Sequence, residues 1–269
     1  MKSGSIWART ARALTCVSAL ALAASLHAKA PPSLGTTAAA PAATTATAAT
    51  AGFADCPEFF ANGKPPAIAP RPTLRALCYD AFAVLHSGST KTPVYVAQRM
   101  NRALVDEANE KRTNRFYADA RLPRAERAEL EDYKRSGYSR GHMAPAGDMP
   151  TAQAMAQSFS LANMVPQSMA QNSGPWARIE QDTRRYAHRA RGDVYIITGP
   201  VFQGEAGTIG ANQVHVPSHL FKLVYDAQTQ RAWVHWQANA DDATVTRPIS
   251  YQELVRRTGI EFLPGLQVH

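Results

Sequence analysis

Residues 139–149 read Ser139-Arg140-Gly141-His142-Met143-Ala144-Pro145-Ala146-Gly147-Asp148-Met149, and thirty residues past His142 stands Asn172 in Gln171-Asn172-Ser173-Gly174-Pro175-Trp176. A histidine on an irregular Gly/Pro-rich segment is followed, at the length of a hairpin turn plus a helix start, by a carboxamide. A neutral imidazole can draw a proton from water, and an amide oxygen can ligate a hard cation without cancelling its charge. Arg140 supplies a planar fork for phosphate, and Gly141 lets the backbone approach a ligand. A lone histidine or a lone asparagine before a helix is more often structural. The two together, in this setting, carry chemistry.

Outward from this stretch, Pro175 suits a first helical turn. Trp176, Ile179 and Thr183, with Tyr186 beyond, then make an amphipathic helix ending near Arg191-Gly192. Glu180 and Arg184 stand four apart on that helix and share a face, where a solvated ion pair is the ordinary reading. Upstream, Tyr79 to His86 and Thr92 to Gln98 flank Ser87-Gly88-Ser89-Thr90-Lys91 and predict a hairpin. Pro123 to Tyr133 predicts a surface helix, Ala152 to Gln157 a brief one, and Phe159 to Val165 a strand. Downstream, Val194 to Thr198 predicts a buried strand, and Leu220 to Tyr225 with Ala232 to Gln237 a second hairpin. Ser250-Tyr251-Gln252-Glu253 is a capping box for a last helix that stops at Gly259. The sum is an α+β domain with a mixed, mainly antiparallel sheet and no βαβ alternation.

The Arg-Gly-His of residues 140–142, Asn172 in an Asn-x-x-x-Trp setting and Glu180 together resemble the DNA/RNA non-specific endonucleases of the ββα-metal (His-Me finger) superfamily. The likeness spans about residues 54–265. It implies a ββα-metal finger and hydrolysis of phosphodiester bonds in DNA and RNA. It also implies Mg²⁺, with Mn²⁺ able to substitute, held directly by Asn172. By the same resemblance His142 is the general base, one of its ring nitrogens held by a carbonyl. Glu180 orients water around the cation, Arg184 helps hold substrate and Asn163 supports the site. Arg115, in Asn114-Arg115-Phe116, is similar to a family arginine that offsets charge growing on the phosphoryl group, with Arg112 and Arg99 as alternatives. With an unperturbed imidazole, activity should fall below about pH 6.5. Many family members carry Asp where this chain has Ser139, which removes a carboxylate beside the site.

The ends and the composition bound the rest. Lys2, Arg9 and Arg12, then Ala13 to Leu26 and Ala28-Lys29-Ala30, predict a signal peptide over 1–30 and hence a periplasmic or secreted protein. An amphipathic mitochondrial presequence is the rival reading, since this segment holds no acidic residue. Residues 31–52, rich in Ala, Thr and Pro, predict a disordered linker, and 53–269 one domain. Without residues 1–30, 25 basic residues face 21 acidic ones. That mild excess is compatible with a polyanionic partner. Cys56 and Cys78 predict a disulfide, contributing about 3 kcal/mol for a loop of that length, against two free thiols as the alternative. Neither has the neighbours a zinc site needs.

No nucleotide-cradling glycine motif, no H-E-x-x-H and no apolar run long enough to span a membrane is present. Stable membrane association is therefore not expected, while homodimerisation and a protein inhibitor stay open. Two other readings compete with the endonuclease: a non-catalytic exported nucleic-acid-binding protein on the same fold, and a phosphodiesterase for small nucleotides.

Overall fold

The computed structural model describes residues 51–204 and 207–269. The leader expected over 1–30 and nearly all of the linker expected over 31–52 lie outside the described residues.

Six antiparallel strands form the main sheet: β1 (Leu74–Cys78), β2 (Ala83–Ser87), β3 (Thr92–Met100), β6 (Val194–Val201), β9 (His219–Asp226) and β10 (Arg231–Ala238), side by side in that order. Two short pairs stand apart, β4 (Tyr138–His142) with β5 (Met164–Ser168), and β7 (Thr208–Ile209) with β8 (Val214–His215). Strand alternation sends neighbouring side chains to opposite faces. On β3, Tyr95 and Ala97 join one core while Val96 joins another. On β9, Phe221, Leu223 and Tyr225 join the first core, with Phe53, Phe60 and Phe262. Leu220 and Val224 lie on the other side. Both faces are covered, so the central strands read as nearly unbroken apolar runs. Lys222, on β9 between Leu220 and Val224, interrupts one such run with a charge, and it is buried.

The second core carries the site. It gathers Met143, Ala144, Ala146 and Met149, which follow β4, with Phe159, Val165, Trp176 and Ile179. These residues lock three elements together: the β4–β5 ribbon, helix α3 (Ala152–Ser158) and the long helix α5 (Ala177–Arg189). Ahead of them come α1 (Arg102–Glu107) and α2 (Leu130–Tyr133). The short α4 (Met169–Gln171) runs through a π-turn at Asn172–Trp176 into α5, and α6 (Tyr251–Thr258) closes the chain. The Ser250 hydroxyl caps α6 at Glu253 N–H, and Gly259 ends it in the left-handed region with φ 69°. The expected bond between Cys56 and Cys78 is present.

Several expectations change. Pro123 to Tyr133 is not one helix: a 3₁₀ turn at Arg124–Glu126 and α2 are all that form. The Glu126 carbonyl is taken by His86 Nε2 at 2.8 Å, and the Asp132 carboxylate is drawn back to Glu129 N–H at 2.8 Å, so the segment starts afresh at Glu129. The strand expected at Phe159 to Val165 begins only at Met164, after a 3₁₀ turn at Leu161–Asn163. The Arg-Gly-His segment, expected to be irregular, is strand β4, with Gly141 opposite Val165 and His142 opposite Met164. Strand β1 and helix α1 add to the predicted elements.

Candidate active site

His142 ends β4, and the chain behind it is pinned. Asn163 receives Ala144 N–H at 2.8 Å on its side-chain oxygen, and its amide donates to the Ala144 and Ser158 carbonyls, each at 2.9 Å. Met143 N–H reaches the Asn163 carbonyl at 3.0 Å. A fully buried asparagine thus uses both ends of its amide to fix the strand exit.

The imidazole packs among aromatic rings, with Phe159 edge-on at 5.1 Å and Phe116 at 5.8 Å between centroids. Its Nε2 is enclosed without a hydrogen-bond partner, and among the described residues no carbonyl is bonded to the ring. Among the described residues, ring packing stands where the resemblance implied a carbonyl anchor. Burial, helped by the positive charge of Arg112, pushes the His142 pKa down to about 3. The ring is neutral across the physiological range.

Two guanidinium groups flank this pocket. Arg140 lies over the Phe116 ring at 4.2 Å and Arg112 over the Phe159 ring at 5.1 Å. Arg115 is exposed, and its side chain makes no ion pair or hydrogen bond among the described residues. Arg99 pairs with Asp193 at 3.5 Å instead. The arginine brought against His142 is Arg112, three positions before the one singled out by sequence. Both lie in the same irregular stretch, where sequence carries no periodic cue.

Gly141 has an internal reason to be glycine. A Cβ there would stand 1.8 Å from Gln167 Oε1, so the glutamine side chain occupies that space. The close approach is to the protein's own ribbon partner, a correction to the expected ligand approach. Gln167, fully buried, also donates to Gln171 at the start of the helical run.

Asn172 opens the π-turn and donates through Nδ2 to the Ser139 hydroxyl at 3.1 Å, while that hydroxyl donates to the Gln167 carbonyl at 3.0 Å. Ser139 thus gives the Asn172 amide an acceptor. The Asn172 carboxamide oxygen accepts no hydrogen bond among the described residues and stays partly open to solvent. Ser139 ties Asn172 to the same strand that ends in His142, three residues or roughly 10 Å of extended chain away. The site also fits sparse ligation of a cation. A carboxamide oxygen left without a hydrogen bond is a hard, neutral donor that suits a largely hydrated cation. A π-turn containing Pro175, which lacks an N–H, sets the carboxamide at the helix entrance.

A second cluster lies on α5. Glu180 is partly buried, and its pKa is pushed up to about 7, chiefly by burial, with Lys222 opposing, Asp148 adding, and Arg184 opposing. Arg184 does not pair with Glu180 as a surface couple. It forms an ion pair with buried Asp148 at 2.7 Å. Lys222, 1 % exposed, donates to Thr198 Oγ1 at 2.8 Å and lies 5.6 Å from the centre of the Trp176 ring. Asp148 and Lys222 were missed by sequence reading. A lysine interrupting the apolar run Leu220 to Tyr225 was the available signal.

With this geometry in view, the sequence model of the DNA/RNA non-specific endonuclease family matches residues 68–269. The chain belongs to that family. It is similar to the mitochondrial nuclease EXOG of Danio rerio, 33% identical over 214 residues, covering 70% of this chain and 61% of that protein. The human EXOG is 31% identical over 212 residues, covering 71% and 57%. The mitochondrial nuclease of Saccharomyces cerevisiae is 32% identical over 160 residues, covering 54% and 48%. The chain thus spans about six-tenths of the length of these two EXOG proteins. A crystal structure of EndoG in complex with EndoGI matches with a TM-score of 0.65 at 23% identity, over 72% of this chain and 88% of that one. That likeness shows the fold, an α+β domain of the ββα-metal kind. The relatives are mitochondrial nucleases, which overturns the periplasmic or secreted assignment. A basic leader without acids was open to both readings, and its apolar Ala/Leu content misled.

Proposed function

We propose that the protein is a metal-dependent endonuclease that hydrolyses phosphodiester bonds in DNA and RNA without sequence preference. The observation that carries this reading is the Ser139 hydrogen bond, which ties the Asn172 carboxamide to the strand ending in an uncharged, unbonded His142. His142 accepts the proton of the attacking water. Asn172 offers its free oxygen as the one direct protein ligand to Mg²⁺ or Mn²⁺. Held there, such a cation would supply positive charge to the scissile phosphate and to the leaving oxygen. Glu180 orients water beside Asn172, and Arg184 is braced by Asp148 at the edge of the site. Arg140 and Arg112, seated on Phe116 and Phe159, offset negative charge growing on the phosphoryl group, with Arg112 taking the role first assigned to Arg115. Contacts of this kind go to phosphate and sugar, which carry no direct base code, so cleavage is indifferent to sequence.

The test is incubation with supercoiled plasmid and with RNA in Mg²⁺, with EDTA as control and end-labelling to find which side keeps the phosphate. Binding without nicking would favour the non-catalytic binding protein. Hydrolysis of a bis-nitrophenyl ester with plasmid left intact would favour the small-nucleotide phosphodiesterase.

A further inference from the structure

Beside Arg184 a cleft runs between α1 and α5. Its first hollow, ≈ 490 Å³, is lined by Gly147, Arg184, Arg185, His188 and Arg189 among others. A second, ≈ 630 Å³, continues past the end of α5 and shares Arg189, adding Arg102 and Arg191. Gly147 adjoins Asp148, the partner of Arg184, so the cleft opens directly from the charged cluster of the active centre.

The charges in the cleft are not all spent. Arg185 pairs with Asp182, and His188 with Asp106 at 3.0 Å. Arg102, Arg189 and Arg191 are exposed and form no ion pair among the described residues. The negative end of the α5 dipole accounts for His188 and Arg189 in its last turn. It does not account for Arg102, on a different helix, or for Arg191, past the helix end. Arg189 lies nine residues beyond Glu180, or ~13.5 Å of helix at 1.5 Å per residue. That is about four steps of nucleic acid at 3.4 Å per step along one strand.

We propose that the α1–α5 cleft is a substrate track, in which Arg102, Arg189 and Arg191 receive backbone phosphates about four nucleotides from the scissile bond. The inference rests on the nuclease reading and adds to it the surface that grips long substrates. A short oligonucleotide reaches His142 and Asn172 without entering the far hollow, whereas a long one fills it. Length preference, rather than chemistry, is what these arginines set.

The test compares the unmodified protein with the triple variant Arg102→Ala, Arg189→Ala, Arg191→Ala on a duplex of about 30 base pairs and on an oligonucleotide of about four nucleotides. Binding to the long duplex is measured against salt with His142→Ala as a common background, and cleavage of both substrates without it. The expected result is a slope of log affinity against log salt shallower by about 2 to 3, a KM on the long duplex raised about tenfold or more, and unchanged cleavage of the short substrate. An unchanged slope overturns the proposal, as does equal loss on both substrates. Should the triple variant fail to fold, Arg189→Gln and Arg191→Gln singly must each lower the slope by about 1. An unmodified protein that cuts neither substrate sinks the nuclease reading itself, a result distinct from loss of the track alone.

Discussion

His142 and Glu180 are both withdrawn from water, yet their surroundings treat charge in opposite ways. Around His142 the neighbours are rings, Phe116 and Phe159, and no hydrogen bond holds the imidazole. Burial therefore acts unopposed, and Arg112 adds to it, so the ring stays neutral. Around Glu180 stand Lys222, Asp148 and Arg184, whose charges partly cancel the penalty of burial. The carboxyl consequently titrates near neutrality. The proposed general base is thus kept dry, while the carboxyl proposed to orient water around a cation is kept among charges.

The sharpest way to break this contrast is to remove the dry partner. His142→Ala should lower turnover by about 10²- to 10⁴-fold while nucleic-acid binding and circular dichroism stay as before. Full cleavage by that variant would end the general-base role. The same substitution reports on stability. The folded imidazole refuses a proton that the unfolded chain accepts between about pH 6.5 and 3, so the native protein loses stability as pH falls through that window. The alanine variant should lose less in urea titrations at pH 4 to 5.

Next in size comes Glu180. The expectation of an acid limb near pH 6.5 from an unperturbed imidazole does not hold, since His142 stays neutral down to about pH 3. With Glu180 pushed up to about 7, the carboxylate is present above that pH and lost below it. Activity should fall as pH drops through about 7, and the limb should move to lower pH as Mg²⁺ is raised. Glu180→Gln should cost roughly 10- to 100-fold and leave a flat profile across that range. Lys222→Met tests the charged surroundings: removing the opposing cation should shift the limb to higher pH, lower activity a few-fold at neutrality, and spare it in alkali. An unmoved limb in Lys222→Met would separate Glu180 from the lysine beneath it.

This contrast was only half legible in the amino-acid string. The hairpins β2–β3 and β9–β10 and the capped helix α6 could be read because their signals are local: apolar runs, turn residues, a capping serine and a terminal glycine. The candidate site residues were nameable for the same reason, since His142, Asn172 and Glu180 sit in compact motifs. What failed depended on distant partners. Pro123 to Tyr133 has good helix formers, yet His86 and the recurved Asp132 break it. Segment 138–142 becomes a strand only because Met164 to Ser168 arrives to pair with it. Arg112 and Arg115 look alike in sequence, and only the position of the Phe159 ring separates them. The dry setting of His142 is likewise a property of packing, which is why its altered pKa was not foreseen.

The smallest effect, and the finest probe of the contrast, lies at Ser139, which links the two regions through Asn172. Its hydroxyl accepts from the Asn172 amide and donates to the Gln167 carbonyl. Ser139→Ala leaves the carboxamide free to rotate, so the apparent Mg²⁺ requirement should rise several-fold with little change in turnover at saturating metal. Ser139→Asp, which installs the residue common in the family, should behave differently. A carboxylate accepts from the Asn172 amide as well as a hydroxyl does, with charge assistance. It has no proton for the Gln167 carbonyl, and would set negative oxygen against it. The Mg²⁺ requirement of Ser139→Asp should therefore match the unmodified protein, while its melting temperature falls by about 2–4 °C for a loss of about 1 kcal/mol in a domain of this size. If both variants raise the Mg²⁺ requirement equally, the hydroxyl does not orient Asn172, and the ribbon alone must hold the carboxamide in place.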